Sequence, residues 1–181
     1  MRNLILISFV SMLASAPLAF AAGSGGGNND NSPATFRCPE GKVVKIVVVN
    51  GVKKKKCVKV ESGILPDEEL YQQGRALAKE GHYDWALTVL AAVQNQQDPR
   101  VLNYIGYSHR KAGRLEIGIS YYRKALAINP NFVLAREYLG EGYVAVGKID
   151  LARSELAEIA KVCGTTCEEY KDLSAAISSA N

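Results

Sequence analysis

Two carboxylates four residues apart, Glu137 and Glu141, are the pair in this 181-residue chain whose type and spacing come nearest to acid-base chemistry. On a helix, positions i and i+4 share a face, so the two side chains would stand together as the acid and base of a glycosidase must. Nothing else in the sequence supports catalysis. No Ser/His/Asp or Cys/His arrangement is suggested, and no phosphate-cradling glycine loop follows a strand. Neither an enzyme nor a cofactor is expected. The four cysteines, Cys38, Cys57, Cys163 and Cys167, permit three pairings. Their separation into two segments favours the local bonds Cys38 to Cys57 and Cys163 to Cys167. A zinc site would need thiolates and histidines to converge, but His82 and His109 fall in different parts of the helical pattern, so no metal is expected. Cys163-Gly164-Thr165-Thr166-Cys167 has one residue too many for a Cys-x-x-Cys redox pair.

Those residues need elements to hold them, and the chain divides clearly. Met1-Arg2-Asn3 is a short basic start, Leu4 to Phe20 is mostly apolar, and Ala19-Phe20-Ala21 has the small-x-small form of a cleavage site. Residues 1–21 therefore read as a secretory signal peptide, which predicts a periplasmic or secreted protein and agrees with the even cysteine count. Residues 22–36 have the Gly/Asn composition of a flexible linker. Lys42 to Val49 and Val52 to Val60 are valine-rich runs around Asn50-Gly51, a strong hairpin signal, so 37–61 reads as a small β-hairpin stapled by Cys38 and Cys57. From 22 to 61 there are eight Lys/Arg against three Asp/Glu, a net of plus five. From 62 to 181 the balance is thirteen against fifteen, a net of minus two. The basic surplus thus sits in the hairpin, chiefly at Lys53, Lys54, Lys55 and Lys56. Such lysines keep a valine-rich edge from pairing with other chains, and they also suit an anionic envelope surface. No nucleic-acid partner is expected, because the patch has no interleaved aromatics.

Beyond residue 62 the pattern is helical and periodic. A pair of glycines seven residues apart recurs as Gly74/Gly81, Gly106/Gly113 and Gly140/Gly147, with successive copies 32 and 34 residues apart. The first glycine of each pair would let two helices approach closely, and the second would end the first helix of the copy. The middle copy is the fullest, with Asn103, Tyr104, Gly106, Tyr107, Gly113, Tyr122, Ala125 and Pro130. It resembles the tetratricopeptide repeat family. The resemblance implies an all-α fold: a right-handed α-solenoid of three helix hairpins at about 67–98, 99–132 and 133–164, preceded by the β-hairpin. The expected helices are 67–80, 83–94, 99–112, 115–128, 133–146 and 149–162. A capping helix at 167–179 closes the 62–181 domain, with Thr165 and Thr166 before Glu168 and Glu169 as a capping box.

The resemblance also implies a function. In this family the concave groove is lined by the first helix of each repeat and holds a protein or peptide. The matching positions here are Glu68, Tyr71, Arg75, Ala78 and Lys79 in the first repeat. The second supplies Arg100, Asn103, Tyr107, Arg110 and Lys111, and the third Leu134, Glu137, Glu141, Val144 and Ala145. The groove is thus expected to be basic and tyrosine-bearing for two thirds of its length and acidic at its end, with Tyr107 and Arg110 facing solvent. Arg110, Lys111 and Asn103 are of the type found in the family's carboxylate clamp, although the other repeats lack the matching partners. His109 occupies a position the family keeps as a buried aromatic, which predicts a hydrogen-bonded core histidine. The leading expectation is an exported scaffold or adaptor that holds a peptide in this groove. Two others are an envelope-binding protein that works through its hairpin, and an assembly factor of a secretion or pilus machine.

Overall fold

A computed structural model describes residues 36–180; the expected signal peptide and nearly all of the linker lie outside this range. The two strands, β1 (Lys42–Val49) and β2 (Val52–Lys59), pair antiparallel with Val49 opposite Val52. Asn50 and Gly51 both take positive φ, 52° and 75°, as a tight two-residue turn that follows the twist of its strands requires. A disulfide joins Cys38 to Cys57. Only the root of the hairpin is covered: Val43 is buried with Leu65 and Leu70, whereas Ile46, Val48, Val49 and Val52 are exposed. The root is fixed to the first helix by Gln73. Its side-chain amide donates to the Val44 carbonyl at 2.9 Å and its oxygen accepts from the Val44 N–H at 2.8 Å, so the free edge of β1 is closed there.

Seven helices follow among the described residues: α1 (Asp67–Lys79), α2 (Tyr83–Ala91), α3 (Pro99–Lys111), α4 (Leu115–Ile128), α5 (Val133–Ala145), α6 (Ile149–Cys163) and α7 (Glu168–Ser179). They pack as the hairpins α1/α2, α3/α4 and α5/α6, each against the next, and α7 lies on α5 and α6. Asp98 caps α3 by accepting from the Arg100 N–H, with Pro99 at the first helical position, where no N–H is needed. Between the helices of each hairpin Gly81, Gly113 and Gly147 take φ of 89°, 82° and 74°, a conformation that other residues adopt only at a cost. The pair Gly106 and Gly118 shows the other use of glycine. A Cβ on Gly118 would stand 2.8 Å from the Gly106 carbonyl oxygen, so α3 and α4 meet backbone to backbone.

Two local expectations are corrected. The second helix of the first repeat, expected over 83–94, stops at Ala91. There the Asp67 carboxylate accepts the N–H groups of Gln94 and Asn95, and Gln96 donates to the carbonyls of Leu90 and Val93, which satisfies the helix end in a turn. The capping box before α7 does not form: Cys167 is the N-cap and makes no side-chain cap bond. A Cys163–Cys167 disulfide joins the end of α6 to the start of α7 instead. α7 is seated by Leu173, fully buried against Gly140; a Cβ there would be 2.5 Å from a Leu173 methyl. Gly140 thus receives the capping helix, whereas Gly106 receives Tyr122 of its own hairpin.

Candidate functional site

The first helices of the three hairpins and α7 enclose an open cleft of about 370 Å3. One wall carries Arg75 and Lys79 of α1 with Tyr104, Tyr107, Arg110 and Lys111 of α3. The other carries Leu134, Glu137, Tyr138 and Glu141 of α5 with Glu168, Glu169 and Asp172 of α7. Spacing explains the clustering: on α3, positions 104, 107 and 111 follow one another at three and four residues, so they share a face. On α7, Glu168, Glu169 and Asp172 lie to one side of the turn whose other side buries Leu173 and Ile177.

Tyrosine rings tie the walls together. Tyr71, Tyr104, Tyr107, Tyr138 and Tyr122 follow one another with ring centres 5.1 to 6.0 Å apart. Each cation of the basic wall is engaged by this ladder. The Arg75 Nε donates to the Tyr104 hydroxyl at 3.0 Å, and Lys79 Nζ donates to that of Tyr138 at 3.0 Å. The Lys111 ammonium lies 5.8 Å from the Tyr107 ring centre. Arg110 donates to the Tyr122 hydroxyl and forms an ion pair with Glu141 across the α3/α5 contact. Burial raises the Tyr122 and Tyr138 phenols above their usual range, so both are neutral hydroxyls at physiological pH.

The acidic wall behaves differently. Glu137 is 5% exposed, and its carboxyl group makes no hydrogen bond or ion pair with any described residue. Burial first, and then the neighbouring Glu141, Asp172 and Glu169, push its carboxyl up to about 8. It is therefore largely protonated at neutral pH.

The cleft brings together Arg75, Lys79, Tyr107, Arg110, Lys111, Leu134, Glu137 and Glu141 of the residues expected there, and leaves others out. Tyr71 is buried under Arg100, whose guanidinium lies 4.6 Å from the ring centre. Arg100 itself is held outside the cleft by Asp98 and Glu68. Asn103 is wholly buried, with both amide atoms unpartnered, so it does not present its amide to a carboxylate as a clamp would. Tyr107 is half-buried, and the Arg110 side chain is only 9% exposed; neither simply faces solvent. His109 is partly buried, stacks on Tyr121 and accepts at Nδ1 from Arg114 at 2.8 Å. Burial and then Arg114 lower its pKa, which keeps it neutral. Lys53 to Lys56 stand exposed along β2, away from the cleft. Tyr104, Tyr138 and the three α7 carboxylates were not anticipated. The one signal for the last was their spacing opposite an apolar stripe on a helix assigned only to capping.

A stack of helix hairpins whose first helices line one cleft is a helical-repeat architecture, and known proteins share it. Residues 99–132, which span the α3/α4 hairpin, match the tetratricopeptide repeat family model, so that hairpin is a tetratricopeptide repeat. A search of curated proteins found no match. Among solved structures the chain is similar to the first tetratricopeptide domain of Spaghetti (RPAP3) bound to an HSP90 peptide. That likeness has 17% identity and a TM-score of 0.56, and covers 67% of this chain and 97% of that one. It is similar to the TPR2B domain of yeast Sti1 in its pHsp70 complex, at 20% identity and TM-score 0.56, over 64% and 98% of the two chains. It also resembles the type III secretion translocator chaperone SycD of Yersinia enterocolitica. Here identity is 23% and the TM-score 0.53, over 62% and 78%. At these identities the likeness is one of fold.

Proposed function

We propose that the protein is an exported interaction module that holds an extended segment of a partner protein in the cleft between α1, α3, α5 and α7. The observation that carries this reading is the tyrosine ladder between walls of opposite charge. Amphipathic rings supply contact area at low entropic cost, and the flanking charges orient a chain laid across them. The two neighbours solved with HSP90 and pHsp70 ligands support the use of such a cleft for peptides. The test is partner binding by a Tyr107→Ala, Lys111→Ala variant. Both side chains reach the cleft, and because Tyr107 also packs against Tyr104 and Tyr138, the helical circular dichroism of the variant is measured beside its binding, with Lys111→Ala alone as the variant that leaves the ladder intact. Loss of an aromatic anchor typically weakens binding by about 1 to 2 kcal/mol, roughly tenfold. Undiminished binding by the double variant contradicts the reading.

A second reading rests on the hairpin. Its outer half exposes Ile46, Val48, Val49 and Val52 beside Lys53 to Lys56, an apolar tip with a basic flank. That pairing suits an anionic lipid or cell-wall surface. Co-sedimentation with vesicles containing anionic lipid, but not with neutral ones, and its loss when Lys53 to Lys56 become Ser, would support it. Equal sedimentation with both kinds of vesicle would dismiss it.

A further inference from the structure

The charges of the cleft are not satisfied alike. Arg75, Lys79 and Lys111 rest on tyrosine hydroxyls or rings, and Arg110 is paired with Glu141. Opposite them Glu137, Glu168, Glu169 and Asp172 receive no hydrogen bond and no ion pair from any described residue. Glu168 and Glu169 begin α7, where the helix dipole stabilises carboxylates, so alone they call for no ligand. Glu137 does. It sits in the middle of α5, 5% exposed, lining the cleft with no hydrogen bond or ion pair to its carboxylate and Arg110 as its one favourable charge, already paired with Glu141. A carboxylate is rarely buried without a counter-ion or donor.

Resting on the reading of the cleft as a peptide site, we propose that the α5/α7 wall is a subsite for a Lys or Arg side chain of the bound segment. Its cationic head pairs with Glu137 and Asp172, and its aliphatic stem lies along Leu134. A metal ion is the poorer occupant. The three-residue group of ligand atoms found within 4.8 Å of one another among the described residues is Cys163, Cys167 and Glu169, and both of its sulfurs are in a disulfide. The oxygens of Glu137, Glu141 and Asp172 are too dispersed for an ion that small, but suit a guanidinium or ammonium with several donors.

The surroundings of Glu137 add a signature. Glu141 and Tyr138 flank it on α5, Glu169 and Asp172 face it from α7, and Arg110 reaches it from α3 as the favourable charge. Lys79 of α1 is held on the Tyr138 hydroxyl. With its carboxyl pushed up to about 8, Glu137 carries a proton at neutral pH that a bound cation must displace. Binding therefore releases a proton and strengthens as pH rises. The peptide's own lysine stays charged throughout, its ordinary pKa being about 10.4.

The test uses the full chain and two blocked nonapeptides, identical except that one carries two lysines where the other carries two glutamates. The lysine peptide should shift the amide resonances of Glu137 and Asp172. Its affinity should rise roughly 20-fold between about pH 6.5 and about pH 8.5, as displacement of one proton from a group near 8 requires. Glu137→Gln, which keeps the shape of the side chain, should abolish that rise. Asp172→Asn, at an exposed position, should weaken binding but keep the rise. If the glutamate peptide perturbs Lys79 and Lys111 while the lysine peptide leaves the cleft unperturbed, the cation subsite is wrong and the peptide site stands. If neither peptide perturbs the cleft, both readings fail. An affinity for the lysine peptide that is flat with pH in the unaltered protein overturns the role of Glu137.

Discussion

Replacing Glu137 by Gln should stabilise the fold, and only at high pH. In the folded chain the Glu137 carboxyl is raised from 4.5 to about 8 by burial and by Glu141, Asp172 and Glu169. Between those values the folded state keeps the proton and the unfolded state has lost it. The contribution of this group to stability is therefore complete below about pH 4.5, declines as pH rises, and levels off above about pH 8. Converted in full, the rise is worth about 5 kcal/mol. Because the carboxylate looks onto cleft water, roughly half of that, about 2 to 3 kcal/mol, is the expectation. Gln cannot ionise and escapes the penalty. Urea denaturation of both proteins at about pH 5 and about pH 9 isolates the effect, since all other titrating groups are shared. The two should be nearly equal at the lower pH, with the variant more stable by about 2 to 3 kcal/mol at the higher. A difference that is the same at both pH values would refute the burial of an uncompensated carboxylate.

Three further outcomes follow from the packing. Arg110→Ala removes one partner of the Arg110–Glu141 pair and the bond to Tyr122, and should lower stability by about 2 to 4 kcal/mol in urea unfolding; an unchanged midpoint would show the pair to be idle. Gly118→Ala sets a Cβ 2.8 Å from the Gly106 carbonyl oxygen and 2.9 Å from the Arg110 Cβ, contacts that backbone cannot yield easily. It should lose about 1 to 3 kcal/mol, and an equal melting temperature would remove the close α3/α4 approach from the account. Cys38→Ser opens the 19-residue loop that ties the hairpin and is expected to cost about 3 kcal/mol locally, seen as faster proteolysis within 42–59 with unchanged helical circular dichroism. Equal proteolysis of both proteins would mean that Val43 and Gln73 hold the hairpin without the bond.

The repeat was legible because its signals are local. Gly81, Gly113 and Gly147 mark positive φ wherever they occur, and Asn50-Gly51 specifies its turn within two residues. Long-range partners were not legible. The end of α2 depends on Asp67, 27 residues upstream of the N–H it accepts at Gln94. Arg110 reads as a solvent-facing groove residue until α3 and α5 are packed and Glu141 meets it 31 residues on. Asn103 has the residue type of a clamp, yet its burial is decided by neighbours that no spacing within α3 reveals. The α7 carboxylates join the cleft only because Leu173 seats that helix against Gly140, a contact between residues 33 apart in sequence.

The most direct test of the cleft as the working surface is site-specific photocrosslinking to the natural partner, with a benzophenone amino acid placed at Tyr107 in one sample and at Lys54 in another. Both positions are accessible, and they lie on different elements, α3 and β2. The account predicts a single partner segment attached at position 107, competed away by the lysine nonapeptide, and no attachment of that segment at position 54. Attachment at position 54 with none at position 107 would contradict it and place the interaction on the basic hairpin.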